Sequence, residues 1–341
     1  MSIKKKHINI PIFIPHLGCP NDCVFCNQRT ISGKMTFDPD SVVKEIEDAL
    51  YTLREGQEAE IAFFGGSFTG IDRGLMIYLL DIAQKYVDDG RVFGIRLSTR
   101  PDYINSEILD ILSRYSVKTV ELGIQSMDDT VLIDSKRGHL SRQSVEACRL
   151  VKEAGFSLIG QMMIGLPSAN VEAEKKTAQM ICDMKADGAR VYPTVVFFDT
   201  ELCEMSKAGK YIPLDLDDAV YRTKEVLKVF NSNNVPCIRV GLCASENLSS
   251  EKSVYGGANH SAIGELAIGE IFFENIDEAI CNALSERHIS KKLTVYVPTG
   301  CVSKAVGQKR RNILRLCEKY SLNDIKILEK NSLIGYNILL G

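Results

Sequence analysis

Apolar positions along this 341-residue chain fall into short β-branched runs separated by longer stretches of helical period. The strand candidates are "INIPIFI" (8–14), "EIAFF" (60–64), "FGIRLS" (93–98), "VKTVELGI" (117–124), "SLIGQMMI" (157–164), "RVYPTVV" (190–196) and "VPCIRV" (235–240). Between them, amphipathic segments predict helices at about 40–53, 72–88, 104–114, 141–154, 171–186 and 217–232. Asp38 before Pro39 is a start signal for the first of these, a capping carboxylate followed by the residue best suited to the first helical position. Strand-helix alternation of this kind implies parallel strands joined by right-handed crossovers. Six or seven such units predict a partial (β/α) barrel, with a doubly wound open sheet as the alternative. In either architecture ligands gather at the C-terminal ends of the strands.

The rhythm breaks after about residue 245. "ASENLSSEKSVYGGANH" is rich in Ser, Gly and Asn and reads as a loop. A short acidic segment, a strand at 293–298, a basic helix at about 302–319 and strand-like runs near 325–329 and 333–340 follow. The expected organisation is therefore a barrel over 1–245 and a small α+β extension over 246–341.

Composition adds little to this picture, except at the cysteines. Apolar content of 45% and charged content of 25% are ordinary for a globular chain, and a net charge of −3 gives no overall pull toward nucleic acid or membrane. The N-terminal apolar stretch is short and interrupted by proline, a poor signal peptide, and no run is long enough to span a bilayer. A cytoplasmic location is expected, where eleven cysteines do not make a disulfide framework. Eight of them are scattered and read as small buried apolar side chains.

Cys19, Cys23 and Cys26 are different. They crowd into "GCPNDCVFC", a Cys-x3-Cys-x2-Cys spacing directly after the first strand. Structural zinc wants four closed ligands, and no second Cys or His pair follows. A closed four-iron cluster also wants a fourth cysteine. Three cysteines suit a [4Fe–4S] cluster with one iron left open. An open iron invites a chelating ligand such as S-adenosylmethionine (SAM), whose sulfonium can accept one electron and release a 5′-deoxyadenosyl radical.

At these residues the chain resembles the radical SAM superfamily. The resemblance implies that Cys19, Cys23 and Cys26 hold the cluster and that Phe25 packs against adenine. In "FFGGSFTG" (63–70), Gly65 and Gly66 match the pair that admits the methionine end of SAM. Ser98 and Thr99 in "RLSTRPDYI", Gln125 in "VELGIQSMDD", Arg137 in "SKRGH" and Gln161 in "QMMIGLP" match further strand-end positions that orient SAM, with Arg137 facing its carboxylate. The fold implied is a partial (β/α)6 TIM barrel with a small C-terminal α+β extension. An electron donor such as flavodoxin or ferredoxin is implied with it.

The strings "TRPDYI", "ELGIQSMDD", "KRGH" and "QMMIGLP" resemble most the branch containing the catalytic subunit of Elongator, which modifies wobble uridines of tRNA. That subunit pairs radical chemistry with an acetyltransferase domain, and no such domain follows before Gly341. The acetyl transfer is therefore not expected to carry over, and the substrate is left between RNA and a small metabolite. From Arg287 to Lys319 stand nine basic residues and one acidic residue, Glu318, a stretch that can meet RNA phosphates or be a solvated helix face. A non-catalytic iron–sulfur or zinc RNA-binding protein is the reading from another class. His16, His139 and His260 are expected to be structural.

Overall fold

A computed structural model describes residues 6–15, 17–19, 23–32, 36–242, 253–286 and 290–341. His16, Cys243 and Arg287 lie outside the described residues. The first half of the chain runs β1 (Lys6–Ile14), α1 (Gln28–Ser32), α2 (Val42–Tyr51), β2 (Gln57–Gly65), α3 (Arg73–Asp88), β3 (Gly94–Thr99), α4 (Ser106–Leu112) and β4 (Val117–Gln125). It continues with α5 (Asp129–Asp134), α6 (Ser141–Glu153), β5 (Ser157–Ile164), α7 (Val171–Asp183), β6 (Gly188–Pro193), β7 (Val195–Phe197), α8 (Glu201–Lys207), α9 (Leu216–Ser232) and β8 (Cys237–Val240). Last come β9 (Val254–Gly257), α10 (Ile263–Glu286), β10 (Lys292–Val297), α11 (Val302–Val306), α12 (Arg311–Tyr320), β11 (Asp324–Glu329) and β12 (Leu339–Leu340).

The main sheet has seven strands in the order β1-β2-β3-β4-β5-β6-β8, every neighbouring pair parallel. It is a partial (β/α) barrel of the expected kind. Period-two alternation sorts each strand between two environments. On β1, Ile10, Ile12 and Ile14 are buried against the helix layer, while Asn9, Pro11 and Phe13 line the lumen. On β4, Val120, Leu122 and Ile124 face the helices, and Glu121 and Gln125 line the lumen. Asp38 caps as expected, its Oδ1 accepting the Asp40 N–H at 3.1 Å with Pro39 at the helical start.

The structure departs from the sequence pattern in several places, among them the strand-like run 333–340, of which only β12 at its end is a strand. The run 190–196 is two strands, because the chain leaves the sheet at Thr194, whose N–H and hydroxyl both bond Ile164 O, and β7 then pairs antiparallel with β9. β9 itself lies in the segment read as loop. The "short acidic segment" is α10, a 24-residue helix. Its apolar residues serve two cores at once, Ile263, Ala267 and Ile271 against α9 and Phe272, Ile276 and Ile280 against the β10–β11 sheet. An apolar surface that wide does not read as a single stripe. The basic helix at 302–319 is likewise two helices, broken where Gly307, Lys309 and Arg310 adopt positive φ of 76°, 51° and 61°.

Candidate functional site

Between β1 and α1 the described parts of the cysteine loop are residues 17–19 and 23–27. The loop is fixed from several sides. Gly18 has φ +72°, and a Cβ there would meet Ser67 O at 2.2 Å. Val24 is held at both backbone atoms, donating to Ser135 O at 3.2 Å and accepting from Leu202 N–H at 2.8 Å. Its side chain packs with Val196, Leu202 and Tyr211. The Cys26 N–H donates to Cys23 O at 3.0 Å, closing a turn that brings those two residues together.

The three thiols share one electrostatic neighbourhood. Burial pushes the Cys26 thiol up to about 12, and the Cys23 and Cys19 sulfurs add to the rise. Burial also raises Cys19, opposed by the charges of Arg137 and Arg100. Among the described residues no three His, Cys, Asp or Glu side chains converge as ligands of a single ion. Three cysteine thiols from one loop are the soft sulfur donors that an iron–sulfur cluster takes.

The glycine pair closes β2. Gly66 N–H donates to Ile14 O at 2.8 Å, and Ser67 N–H donates to Leu17 O at 3.1 Å. A Cβ on Gly66 would lie 2.0 Å from Leu17 O, and one on Gly65, whose φ is +112°, 2.8 Å from Ile14 O. Both glycines are required by the backbone that leads into the cysteine loop. At the end of β3, Ser98 faces the lumen and Thr99 the opposite side, where its hydroxyl bonds Ser67 and Thr69 at 2.7 Å each. Thr99 thus does not point into the mouth as its neighbour does.

Gln125 ends β4 at φ +67°, just after a register shift against β5 between Gly123 and Gln125. That turn sets its amide face to face with Gln161, each Nε2 donating to the other's Oε1 at 2.9 Å. Arg137 is buried. Its Nη2 donates to Gly123 O at 2.7 Å and its Nη1 to Cys23 Sγ at 3.5 Å. Gly123 leaves room for it, since a Cβ there would stand 2.9 Å from Nη2.

A cavity of about 520 Å³ opens beneath the loop. Phe25, Cys26, Gly65, Ser98, Gln125 and Gln161 line it, and Gly66, Arg137, Cys19 and Cys23 border these residues without lining it themselves. Phe13, Phe64, Met163 and Phe197 supply apolar surface. The volume and the few polar groups on an apolar wall are those of a small-molecule site. Its floor is a charged layer that the sequence pattern does not single out. Arg190 Nε meets Glu121 Oε2 at 2.9 Å, and Arg190 also lies 5.4 Å from the centre of the Phe64 ring. Outside the cavity's own lining, Arg96 Nε lies 3.7 Å from Glu60 Oε2. Burial raises the Glu121 carboxyl, against the pull of Arg190 and Arg96. The signal was present as an ionic residue amid apolar neighbours on each strand.

Arg100 is the other residue that sequence reasoning passes over. It follows β3 and is 2% exposed, with Nε and Nη2 donating to Asp102 at 2.9 and 2.7 Å. On the far side of Asp102 lies His139, its Nδ1 3.7 Å from Oδ1. Burial and the two arginines hold His139 down at about 3, so it is neutral. The charged pair two residues apart in "RPD" was its visible signal.

Comparison with known proteins agrees with this fold. The Radical SAM superfamily domain matches residues 13–181, and the Radical_SAM C-terminal domain matches 186–271. The tRNA uridine(34) acetyltransferase of Methanocaldococcus jannaschii is 29% identical over 254 residues, 62% of this chain and 46% of that protein. Elongator complex protein 3 of Drosophila melanogaster is 37% identical over 137 residues, 38% of this chain and 24% of that protein. The chain thus spans less than half the length of either relative. Among solved structures, the archaeal Methanocaldococcus infernus Elp3 superposes with a TM-score of 0.61 at 21% identity, covering 78% of this chain and 63% of that one. Methylornithine synthase (PylB) gives 0.51 at 15% identity, covering 76% and 77%. The two matched domains span most of a chain that already has the partial barrel and the three-cysteine loop, and it belongs to the radical SAM superfamily.

Proposed function

We propose that this chain is a radical SAM enzyme that holds one [4Fe–4S] cluster on Cys19, Cys23 and Cys26, takes SAM into the cavity beside them, and acts on RNA, in first place tRNA. Bound there, cluster and SAM would supply radical chemistry able to act on an otherwise unreactive carbon–hydrogen bond. The chain's own part is to bind, orient and keep water out. Phe25 offers an apolar face for adenine at the rim. Ser98 and the Gln125–Gln161 pair offer hydroxyl and amide groups, and Gly65 and Gly66 bring backbone to the methionine end. Arg137 fixes the loop first. Its Nε, without a hydrogen-bond partner among the described residues, is the atom left for a carboxylate.

The observation that carries this reading is the shared cavity: Cys26 and Phe25 line the same space as Gln125 and Gln161, at the strand ends where barrels place chemistry. The RNA part rests on relatives named for tRNA uridine modification and on a basic surface of the extension. Much of that basic stretch is spent internally. Arg310 pairs with Asp324, Arg315 with Glu270 and Lys319 with Asp277. Lys304, Lys309 and Arg311 remain along a groove against α9 and α10, and these are the phosphate contacts we assign. Residues 1–245 are the catalytic unit in this proposal, and 246–341 offer the basic surface. A flavodoxin or ferredoxin is the expected electron donor. No helix among the described residues is long and apolar enough to cross a membrane, and we place the enzyme in the cytoplasm.

The test is anaerobic reconstitution with iron and sulfide, followed by dithionite and SAM. Formation of 5′-deoxyadenosine is expected. Its absence from protein loaded with about four irons per chain would overturn the enzyme reading. Mass spectrometry of tRNA nucleosides from a deletion strain then tests the substrate, and profiles identical to wild type would remove tRNA.

A further inference from the structure

We propose that Arg100 is a positioning residue for the cluster, and that with Asp102 behind it Arg100 sets the potential at which the cysteine loop takes up its electron. The inference rests on the cluster reading above. It starts from what Arg100 does not do. One edge of its guanidinium is spent on Asp102, and its backbone N–H donates to Ser67 Oγ at 3.2 Å. Its Nη1 is buried and has no hydrogen-bond partner among the described residues. Leaving a buried charged donor unspent is costly, and such groups are retained where they act on something.

What lies within its reach is the cysteine loop. Ser67, which receives the Arg100 N–H, donates its own N–H to Leu17 O at 3.1 Å and stands against Gly18, the residue before Cys19, and the Arg100 charge favours the ionised Cys19 thiol. Arg137 approaches from the other side, with Nη1 on Cys23 Sγ. Two guanidinium groups therefore stand by the cysteine loop, Asp102 is the carboxylate paired with Arg100 among the described residues, and the neighbouring His139 adds no charge. The step at issue adds one electron from an external iron–sulfur or flavin protein, with no bond formed or broken. It makes the cysteine-held group one unit more negative. Buried positive charge nearby favours that state, and net charge is one of the terms that set such potentials. Asp102 moderates the effect by holding half of the guanidinium.

The experiment is an EPR-monitored redox titration of the reconstituted full chain, with iron per chain measured for each variant. Arg100→Met is expected to lower the reduced-to-oxidised ratio at fixed potential about tenfold, a downward shift of about 59 mV for one electron. Arg100→Lys keeps the charge and is expected to restore most of the loss. Asp102→Asn removes the opposing charge and is expected to move the midpoint upward. Variants at Arg100 and Asp102 that shift in the same direction, or not at all, with full iron would overturn the proposal, because damage to packing has no reason to change sign with charge. If Arg100→Met does not fold, Asp102→Asn against wild type decides, and an unchanged or lowered midpoint overturns it. Wild-type protein that binds no iron would defeat the cluster reading instead.

Discussion

Gly66→Ala is a small change with a large expected consequence. The new methyl would sit 2.0 Å from the Leu17 carbonyl oxygen, and that oxygen belongs to backbone rather than to a side chain that can rotate away. The chain two residues before Cys19 has to retreat by about 1 Å to reach even the tightest real contact. The Ser67 N–H to Leu17 O bond of 3.1 Å breaks in that retreat, and the Gly66 N–H to Ile14 O bond of 2.8 Å is pulled with it. At about 1 kcal/mol net for each, the loss is about 2 kcal/mol, concentrated at the entry to the cysteine loop. Urea denaturation should report the lower stability, and iron bound after reconstitution should fall with it. Gly155→Ala is the control. Its φ is +84° with nothing within 4 Å of the new methyl, so it costs about 1 kcal/mol of backbone strain and leaves iron content alone. Gly66→Ala protein with wild-type stability and full iron would refute the reasoning.

Further outcomes follow from other parts of the site. Gln125→Ala or Gln161→Ala strands the opposite amide and should each cost about 1–3 kcal/mol, while the double variant should cost clearly less than the sum in a double-mutant cycle. His139 is held at about 3 when folded against about 6.5 when unfolded, so the unfolded state takes the proton first as pH drops. Its contribution to stability is thus complete above about pH 6.5 and is lost as pH falls toward about 3, at up to about 1.4 kcal/mol per pH unit. His139→Gln should flatten the stability–pH curve in that window, as followed by denaturation at fixed pH values. Glu174 is 3% exposed and accepts from Gly165 N–H at 2.7 Å and Arg222 Nη1 at 3.1 Å, anchoring the turn after β5. Glu174→Ala should cost about 3 kcal/mol by chemical denaturation, because it leaves a guanidinium and a buried N–H behind.

The strands and most crossover helices could be read from the sequence because period-two and period-3.6 burial dominate a barrel built of repeated units. What escaped the pattern escaped for physical reasons. α10 packs against two cores, so its apolar residues surround it instead of forming one stripe. Lys309 and Arg310 carry positive φ without being glycine, so nothing in their side chains announced a helix break. That Phe25, Cys26, Ser98 and the two glutamines share one cavity was legible because their chemistry stands out at strand ends. The role of Gly66 against Leu17, and the arrangement of Arg100 and Arg137 behind the loop, depend on distances between segments far apart in the chain. Arg137 in particular is identifiable as a guanidinium near the mouth, but only the fold shows that Gly123 and Cys23 claim both its terminal nitrogens.

A seven-stranded sheet that stops short of closure leaves β1 and β8 as its rims. An open rim is a template for another chain's strand, the first step of domain swapping and aggregation. The chain blunts both. Pro11 stands in the middle of β1, paired with Ala62 on its inner side, and has no N–H to offer a stranger on the outer one. β8 is only four residues long, too brief a ledge for a stable guest strand. The unclosed side of the sheet is thus kept from becoming a seam along which molecules assemble.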